Sequence, residues 1–255
     1  AQVGARGDEF VDQIAFRAHH LHAVVAGLAR QPRGAHIGAD GALHLLGYAG
    51  LAVGRAEVVE QKACMLLHGL DERIANLDPA RRAKGVVLVM HQMGSHGPEY
   101  FKRSTPDLKA FKPECATNAL SSCSKESVVN VYDNSIRYTD HFLAQTIGWL
   151  KTQQSQYETG MFYMSDHGES LGELGVYLHG MPYAMAPDDQ KHVPMISWLG
   201  TLGARTHLDQ NCLSKTLDQP LSHDNLFHTV LGLMDVTTPT YKQPMDAFSS
   251  CRKAS

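Results

Sequence analysis

Two short apolar runs constrain this chain more than any other feature, because each stops abruptly at side chains that bind metals. Gly85-Val86-Val87-Leu88-Val89-Met90-His91 is strongly apolar and rich in β-branched residues, and Phe162-Tyr163-Met164 leads straight into Ser165-Asp166-His167. Such runs read as strands, and an unbroken apolar run fits a strand covered on both faces. Open α/β sheets bind their ligands at the carboxyl ends of strands, which is where His91, Asp166 and His167 fall. Gly168 and Gly172 let the chain turn sharply afterwards. An oxygen donor beside a nitrogen donor suits zinc. Taken alone, Asp166-His167-Gly168 reads equally well as a turn that caps local backbone.

The elements around these runs define a fold class. Met65 to Asn76 reads as an amphipathic helix, and Asp78-Pro79-Ala80 as a turn. Ser124 is placed to cap a long helix in which Val128, Tyr132, Ile136, Thr139, Leu143, Ile147 and Leu150 recur at helical spacing. Val193 to Leu199 reads as a further strand, and Ser222 as the cap of a helix from His223 to about Leu233. Strand, long helix, strand, loop, strand, helix is the order of an α/β protein with a parallel sheet. In such a sheet the strand ends lie side by side. His91 and His96 after one strand, Asp166 and His167 after another, and His179 between two glycine-containing turns can therefore converge. Zinc held there would carry phosphoryl charge, and the imidazoles would bind phosphoryl oxygens or protonate a leaving group.

Residues 1–63 differ in kind. They contain no Ser, Thr or Asn, so helix caps and turn formers are scarce. Phe10 to Leu28 reads as a helix containing His19, His20 and His22, but no carboxylate accompanies those histidines as a metal site would want. The glycine-punctuated stretch that follows lacks a phosphate-loop pattern. A change of composition near residue 64 is the one internal boundary.

A net charge of −3 gives no footprint for nucleic acid. No apolar run approaches the roughly 18 residues of a membrane-spanning helix. The amino terminus lacks a signal-peptide pattern, and the first residue is Ala rather than Met, as in a fragment or processed form. Of the five cysteines, Cys115 and Cys123 bracket a polar loop, which leaves open a small disulfide or two independent thiols.

Five motifs, in order, carry a resemblance: Met90-His91-Gln92-Met93-Gly94-Ser95-His96-Gly97-Pro98, Tyr132-Asp133-Asn134, Ser165-Asp166-His167-Gly168-Glu169-Ser170-Leu171-Gly172-Glu173, Tyr177-Leu178-His179-Gly180-Met181-Pro182 and Ser222-His223-Asp224-Asn225-Leu226. Over about residues 65–252 the chain resembles the lipid A phosphoethanolamine transferases, the enzymes of polymyxin and colistin resistance in Gram-negative bacteria. The resemblance implies a three-layer α/β/α, alkaline-phosphatase-like fold on the periplasmic face of the inner membrane, tethered by a membrane domain that this chain lacks. It implies zinc-dependent transfer of phosphoethanolamine from phosphatidylethanolamine to a lipid A phosphate through a phospho-threonine intermediate. Asp166 and His167 match ligands of the catalytic zinc, and His96 and His179 match histidines that hold a second zinc or the substrate phosphate. His91 matches a position of the same substrate loop, and Cys115–Cys123 matches a disulfide of the family.

The resemblance also implies a first strand ending in a zinc-binding glutamate and then the threonine nucleophile. Residues 1–63 hold no threonine, and none of their glutamates follows an apolar strand. This segment is read as a fusion or a stretch from another reading frame, leaving residues 64–255 as the C-terminal part of the catalytic domain. The competing functional readings are a zinc-binding fragment without turnover and a related phosphatase- or sulfatase-type metallohydrolase.

Overall fold

The computed structural model describes residues 23–29, 45–46 and 66–253, the first two segments as backbone strands. Cys64, the histidines at 19, 20 and 22 and most of the glycine-punctuated stretch lie outside the described residues.

The strands are β1 (Ala23–Ala29), β2 (Leu45–Leu46), β3 (Val86–His91), β4 (Glu158–Met164), β5 (Ser170–Leu171), β6 (Tyr177–Leu178) and β7 (Met195–Trp198). Five of them, in the order β2-β3-β1-β4-β7, form a sheet that makes the middle layer, and β5 pairs with β6 in a separate hairpin. The apolar runs behave as their composition dictates, with Val86, Val87 and Leu88 buried in succession and β4 buried from Thr159 to Met164. Alternate residues serve opposite faces. Val86, Leu88, Met90, Met161 and Tyr163 pack with Phe142, Leu143 and Leu150 of the long helix α3 (Lys125–Gln153) and with Leu70 and Ile74 of α1 (Leu70–Ala75). Val87, Phe162 and Met164 pack on the other side with Leu202 of α5 (Gly200–Arg205), Leu213 of α6 (Gln210–Leu213) and Leu233 of α7 (Asp224–Leu233). Helices thus cover both faces in three layers. Two single-turn helices, α2 (Pro79–Arg82) and α4 (Asp188–Lys191), complete the set.

Local chemistry sets the helix ends. Ser124 accepts the Ser127 N–H at 3.2 Å at the start of α3, and the Ser222 hydroxyl accepts the Asp224 N–H at 3.3 Å at the start of α7. Helix α1 is shorter than its pattern suggests, because residues 66–69 form a turn that ends at Gly69 with φ +70°. Among the described residues, no helix is long and apolar enough to cross a membrane.

Two expectations need correction. The sheet is mixed rather than parallel: β1 is antiparallel to both β3 and β4, and β7 is antiparallel to β4. The helix expected over residues 10–28 does not extend through its last part, because residues 23–29 form β1. The physical reason is the slot between β3 and β4, where a strand satisfies two rows of backbone donors and acceptors and a helix satisfies neither. The register is continuous from Ala23 opposite both His91 and Met164 to Leu28 opposite both Val86 and Thr159. The expected Cys115–Cys123 disulfide is present, and a second joins Cys212 to Cys251 across 39 residues.

Candidate metal and phosphate site

Antiparallel to the same β1, strands β3 and β4 run in one direction and finish at one edge of the sheet. The loops that follow them therefore leave side by side, as the strand-end argument requires. The first loop brings His96 and the second brings His167, while His179 follows the β5–β6 hairpin. Ring centroids of His167 and His179 are 3.8 Å apart, those of His96 and His179 5.0 Å, and those of His96 and His167 6.0 Å. One ring nitrogen from each of the three lies within 4.8 Å of the others.

Hydrogen bonding decides which nitrogen that is. Nδ1 of His96 sits 2.6 Å from the Gly97 carbonyl oxygen, Nδ1 of His167 3.0 Å from the Gly168 carbonyl oxygen, and Nδ1 of His179 2.9 Å from Glu169 Oε1. All three partners are acceptors, so each Nδ1 carries the proton and each Nε2 keeps its lone pair. An imidazole with one nitrogen committed in this way is prepared to ligate through the other.

Asp166 stands beside the group, with Oδ2 3.8 Å from His167 Nε2 and its side chain half exposed. Its Oδ1 accepts the backbone N–H of His167 at 3.1 Å. Zinc in tetrahedral coordination, with bonds of about 2.0–2.2 Å, holds its ligands about 3.3 Å apart. Three imidazole nitrogens within 4.8 Å of one another, with the Asp166 carboxylate next to His167, are near enough to close on such an ion. His91 is exposed at the end of β3 and is not part of the three-imidazole group.

Glu169 underlies the arrangement. Its side chain is fully buried, and besides His179 it accepts the Tyr100 hydroxyl at 2.9 Å and the Gly97 N–H at 3.3 Å. Burial, reinforced by the charge of Glu169, pushes the Tyr100 phenol far above its ordinary range, so Tyr100 remains a donor. Arg103 donates from Nε to the His96 carbonyl oxygen at 2.9 Å, which fixes the other side of the first loop. Burial, and then the charge of Asp166, likewise raises the Tyr163 phenol beneath the site. Sequence reasoning assigned no role to Glu169, Tyr100 or Arg103. Only a buried acid inside the Asp-His-Gly-Glu motif would have pointed to them, and burial is not visible in a sequence. His223 was likewise quoted without a role, and its Nε2 lies 2.7 Å from the Ser165 carbonyl oxygen, tying the α7 start to the end of β4.

A cleft of about 920 Å³ opens beside the imidazoles, lined by Asp166, His167, Tyr183, Lys191, His192 and His223 among others. It is large enough for a charged headgroup with part of its attached chain.

The sulfatase family profile matches residues 67–236, which is more than half of the chain and spans every element that forms this site. The chain belongs to the sulfatase family. Within it, the relatives are phosphoethanolamine transferases, which meets the kinship expected from the motifs. Phosphoethanolamine transferase EptA of Escherichia coli K12 is 48% identical over 193 residues, covering 75% of this chain and 34% of that protein. Phosphatidylethanolamine transferase Mcr-1 of Escherichia coli is 44% identical over 177 residues, covering 69% of this chain and 31% of that protein. The solved soluble domain of lipooligosaccharide phosphoethanolamine transferase A from Neisseria meningitidis superposes with a TM-score of 0.70 at 39% identity, covering 77% of this chain and 57% of that one. The chain thus spans about a third of the length of the curated relatives it matches. The likeness to the Neisseria domain also bears out the alkaline-phosphatase-like α/β/α fold.

Proposed function

We propose that this chain is the C-terminal catalytic part of a zinc-dependent transferase. The enzyme would move phosphoethanolamine from phosphatidylethanolamine to a lipid A phosphate at the periplasmic face of the inner membrane, conferring polymyxin and colistin resistance. The observation that carries the reading is the trio His96, His167 and His179, with a ring nitrogen of each within 4.8 Å of the others, all three Nδ1 atoms beside acceptors, and Asp166 next to His167. Donor and acceptor chemistry agree with the relatives' names, which specify phosphatidylethanolamine for Mcr-1 and a lipooligosaccharide for the Neisseria protein. The two disulfides fit an oxidising compartment such as the periplasm.

Asp166 and His167 would hold the zinc, with His96 and His179 binding a second ion or the phosphate itself. Bound zinc would supply Lewis-acid stabilisation of phosphoryl charge and a lowered pKa for an attacking hydroxyl. Once protonated, the Nε2 atoms of His96 and His179 would donate to phosphoryl oxygens or deliver a proton to the departing glycerol oxygen. Glu169 keeps His179 in the required tautomer and holds Gly97, and with it the His96 loop, against the site. His91, at the rim of the same loop, extends the surface offered to the substrate headgroup.

One observation favours a second reading, a zinc-binding fragment without turnover. The strand between β3 and β4 presents Ala23 at the site edge, where the family resemblance calls for a zinc-binding glutamate followed by a threonine. Residues 1–63 would then be a replacement for the family's own opening strand and helix.

Zinc stoichiometry by mass spectrometry or calorimetry, together with turnover of a fluorescent phosphatidylethanolamine analogue, separates these readings. Zinc bound by the parent and lost in Asp166→Ala and His167→Ala is the expected result. Turnover that disappears with Asp166→Ala supports the transferase. Bound zinc without turnover supports the fragment, and a parent that binds no zinc rejects both.

A further inference from the structure

Among the described residues, three of the five exposed large hydrophobic side chains lie on the segment that carries His179. Its base is fixed: the Gly168 N–H donates to the Gln190 carbonyl oxygen at 2.9 Å, and Gln190 Nε2 donates to the Ser170 hydroxyl at 3.0 Å. Between these ties the chain makes an excursion whose outer residues are apolar and open to solvent. Leu174 is 99% exposed, Tyr183 81% and Met185 69%. Leu174 adopts φ 52°, a left-handed backbone that a leucine rarely takes, and here it holds the side chain outward. Residues 174–187 contain no Asp, Glu, Lys or Arg. Charges return at either end, with Glu173 before the run and Asp188, Asp189 and Lys191 after it.

An uncharged apolar rim flanked by three carboxylates and one lysine matches a zwitterionic headgroup layer with exposed ammonium groups better than an anionic partner. The exposed aromatic of the run supports this. Lys191 Nζ lies 5.4 Å from the Tyr183 ring centroid, and a tyrosine paired with a lysine is a combination suited to a membrane–water interface. Tyr183 also lines the cleft that contains Asp166 and His167, and His179 lies between the two exposed tips in sequence. What Tyr183 rests on therefore borders the cleft that holds Asp166 and His167.

We propose that the excursion from Gly172 to Pro187 seats the site on a phosphatidylethanolamine-rich bilayer, with Leu174, Tyr183 and Met185 entering the headgroup layer. This rests on the reading that the phosphate handled at the site belongs to a lipid. It adds a bilayer contact made by this chain itself, separate from any membrane-spanning anchor.

The test is sedimentation of the full chain with vesicles of phosphatidylethanolamine and a minor fraction of phosphatidylglycerol, with a chelator present so that bound metal plays no part. The parent is expected to partition onto the vesicles, and Leu174→Ser with Met185→Ser is expected to weaken partition by about tenfold for each apolar side chain removed. Both positions are exposed, so circular dichroism of the double variant should match the parent's. In Tyr183→Trp, emission beyond that of Trp149 and Trp198 should be quenched by brominated lipid. A parent that stays in solution, a double variant that partitions as well as the parent, or added indole emission that brominated lipid leaves unquenched would overturn the proposal. So would a self-association in vesicle-free solution that the double variant abolishes, which would assign the rim to a second copy of the chain. Partition that persists when turnover is absent leaves the bilayer surface standing and sinks only the transferase reading.

Discussion

Replacing Glu169 separates two effects that usually arrive together, loss of fold and loss of site. In the parent this fully buried carboxylate accepts three hydrogen bonds, from Tyr100, Gly97 and His179. Glu169→Gln keeps the shape and one good acceptor. A hydrogen bond to a charged group contributes about 1.5–3 kcal/mol and one to a neutral group about 0.5–1.5, so three weakened bonds cost about 3 kcal/mol. Removing a buried charge recovers a desolvation cost of several kcal/mol, and the net change in stability should fall within about 2 kcal/mol. Glu169→Ala instead strands three buried donors, which costs about 3–5 kcal/mol and lowers the melting temperature by about 10 °C in a domain of this size.

Metal binding should respond in a different proportion. Loss of the partner that orients a ligating histidine weakens metal affinity by about 10- to 100-fold, or about 1.4–2.7 kcal/mol. Glu169→Gln should therefore bind zinc about 10- to 100-fold more weakly while its metal-free form melts close to the parent. Competition against a chromophoric chelator measures the first quantity, and a thermal melt with chelator present measures the second. Parental zinc affinity in Glu169→Gln would refute His179 as a zinc ligand oriented by Glu169. Unchanged melting of Glu169→Ala would refute the claim that the carboxylate ties the loops together.

Other perturbations reach different parts of the structure. The Cys212–Cys251 bridge closes a loop of 39 residues and Cys115–Cys123 one of 8, so Cys212→Ser should cost about 4 kcal/mol and Cys115→Ser about 2.5 kcal/mol in denaturant titrations under oxidising conditions. In Gly97→Ala the new methyl would press on Leu178 and the Tyr100 ring, so both stability, by about 1–3 kcal/mol, and zinc affinity should fall. Burial, and then its bond to Asp246, raises the Tyr241 phenol from 10.0 to about 12. Its contribution to stability is complete below the unfolded-state value near 10 and is lost as pH climbs through about 12. Tyr241→Phe should flatten part of that alkaline loss in melts across the same window, with the buried Tyr100, Tyr132 and Tyr163 supplying the remainder in the same direction.

Much of the fold was legible because single elements decide themselves. The β-branched run before His91 and the helical spacing from Val128 to Leu150 leave little choice, and both formed where their patterns placed them. Pairing between strands was less legible, since direction depends on which segment reaches the slot. Ala23–Ala29 consists of Ala, Val, Gly and Leu, which suits either a helix or a strand, and the unpaired edges of β3 and β4 settled the matter. At the site, His96, His167 and His179 were legible as residues at strand ends and loop turns. Glu169 was not, because a charged residue in a glycine-rich loop is ordinarily solvated, and only tertiary structure buries it. The Cys212–Cys251 bridge was hidden for a similar reason, the distance along the chain between its halves.

Each of the three site histidines is followed by glycine, as His96-Gly97, His167-Gly168 and His179-Gly180. In the first two, the carbonyl of that glycine is the acceptor for Nδ1, so the ring's tautomer is set within one dipeptide. Gly180 has φ 102°, and Nδ1 of His179 turns instead to a carboxylate ten residues earlier in the chain. Two imidazoles are therefore oriented by local structure and the third by a tertiary bond. His179 is the ring whose position depends on the excursion packing back against the core, and the rim proposed to meet the bilayer belongs to that same excursion.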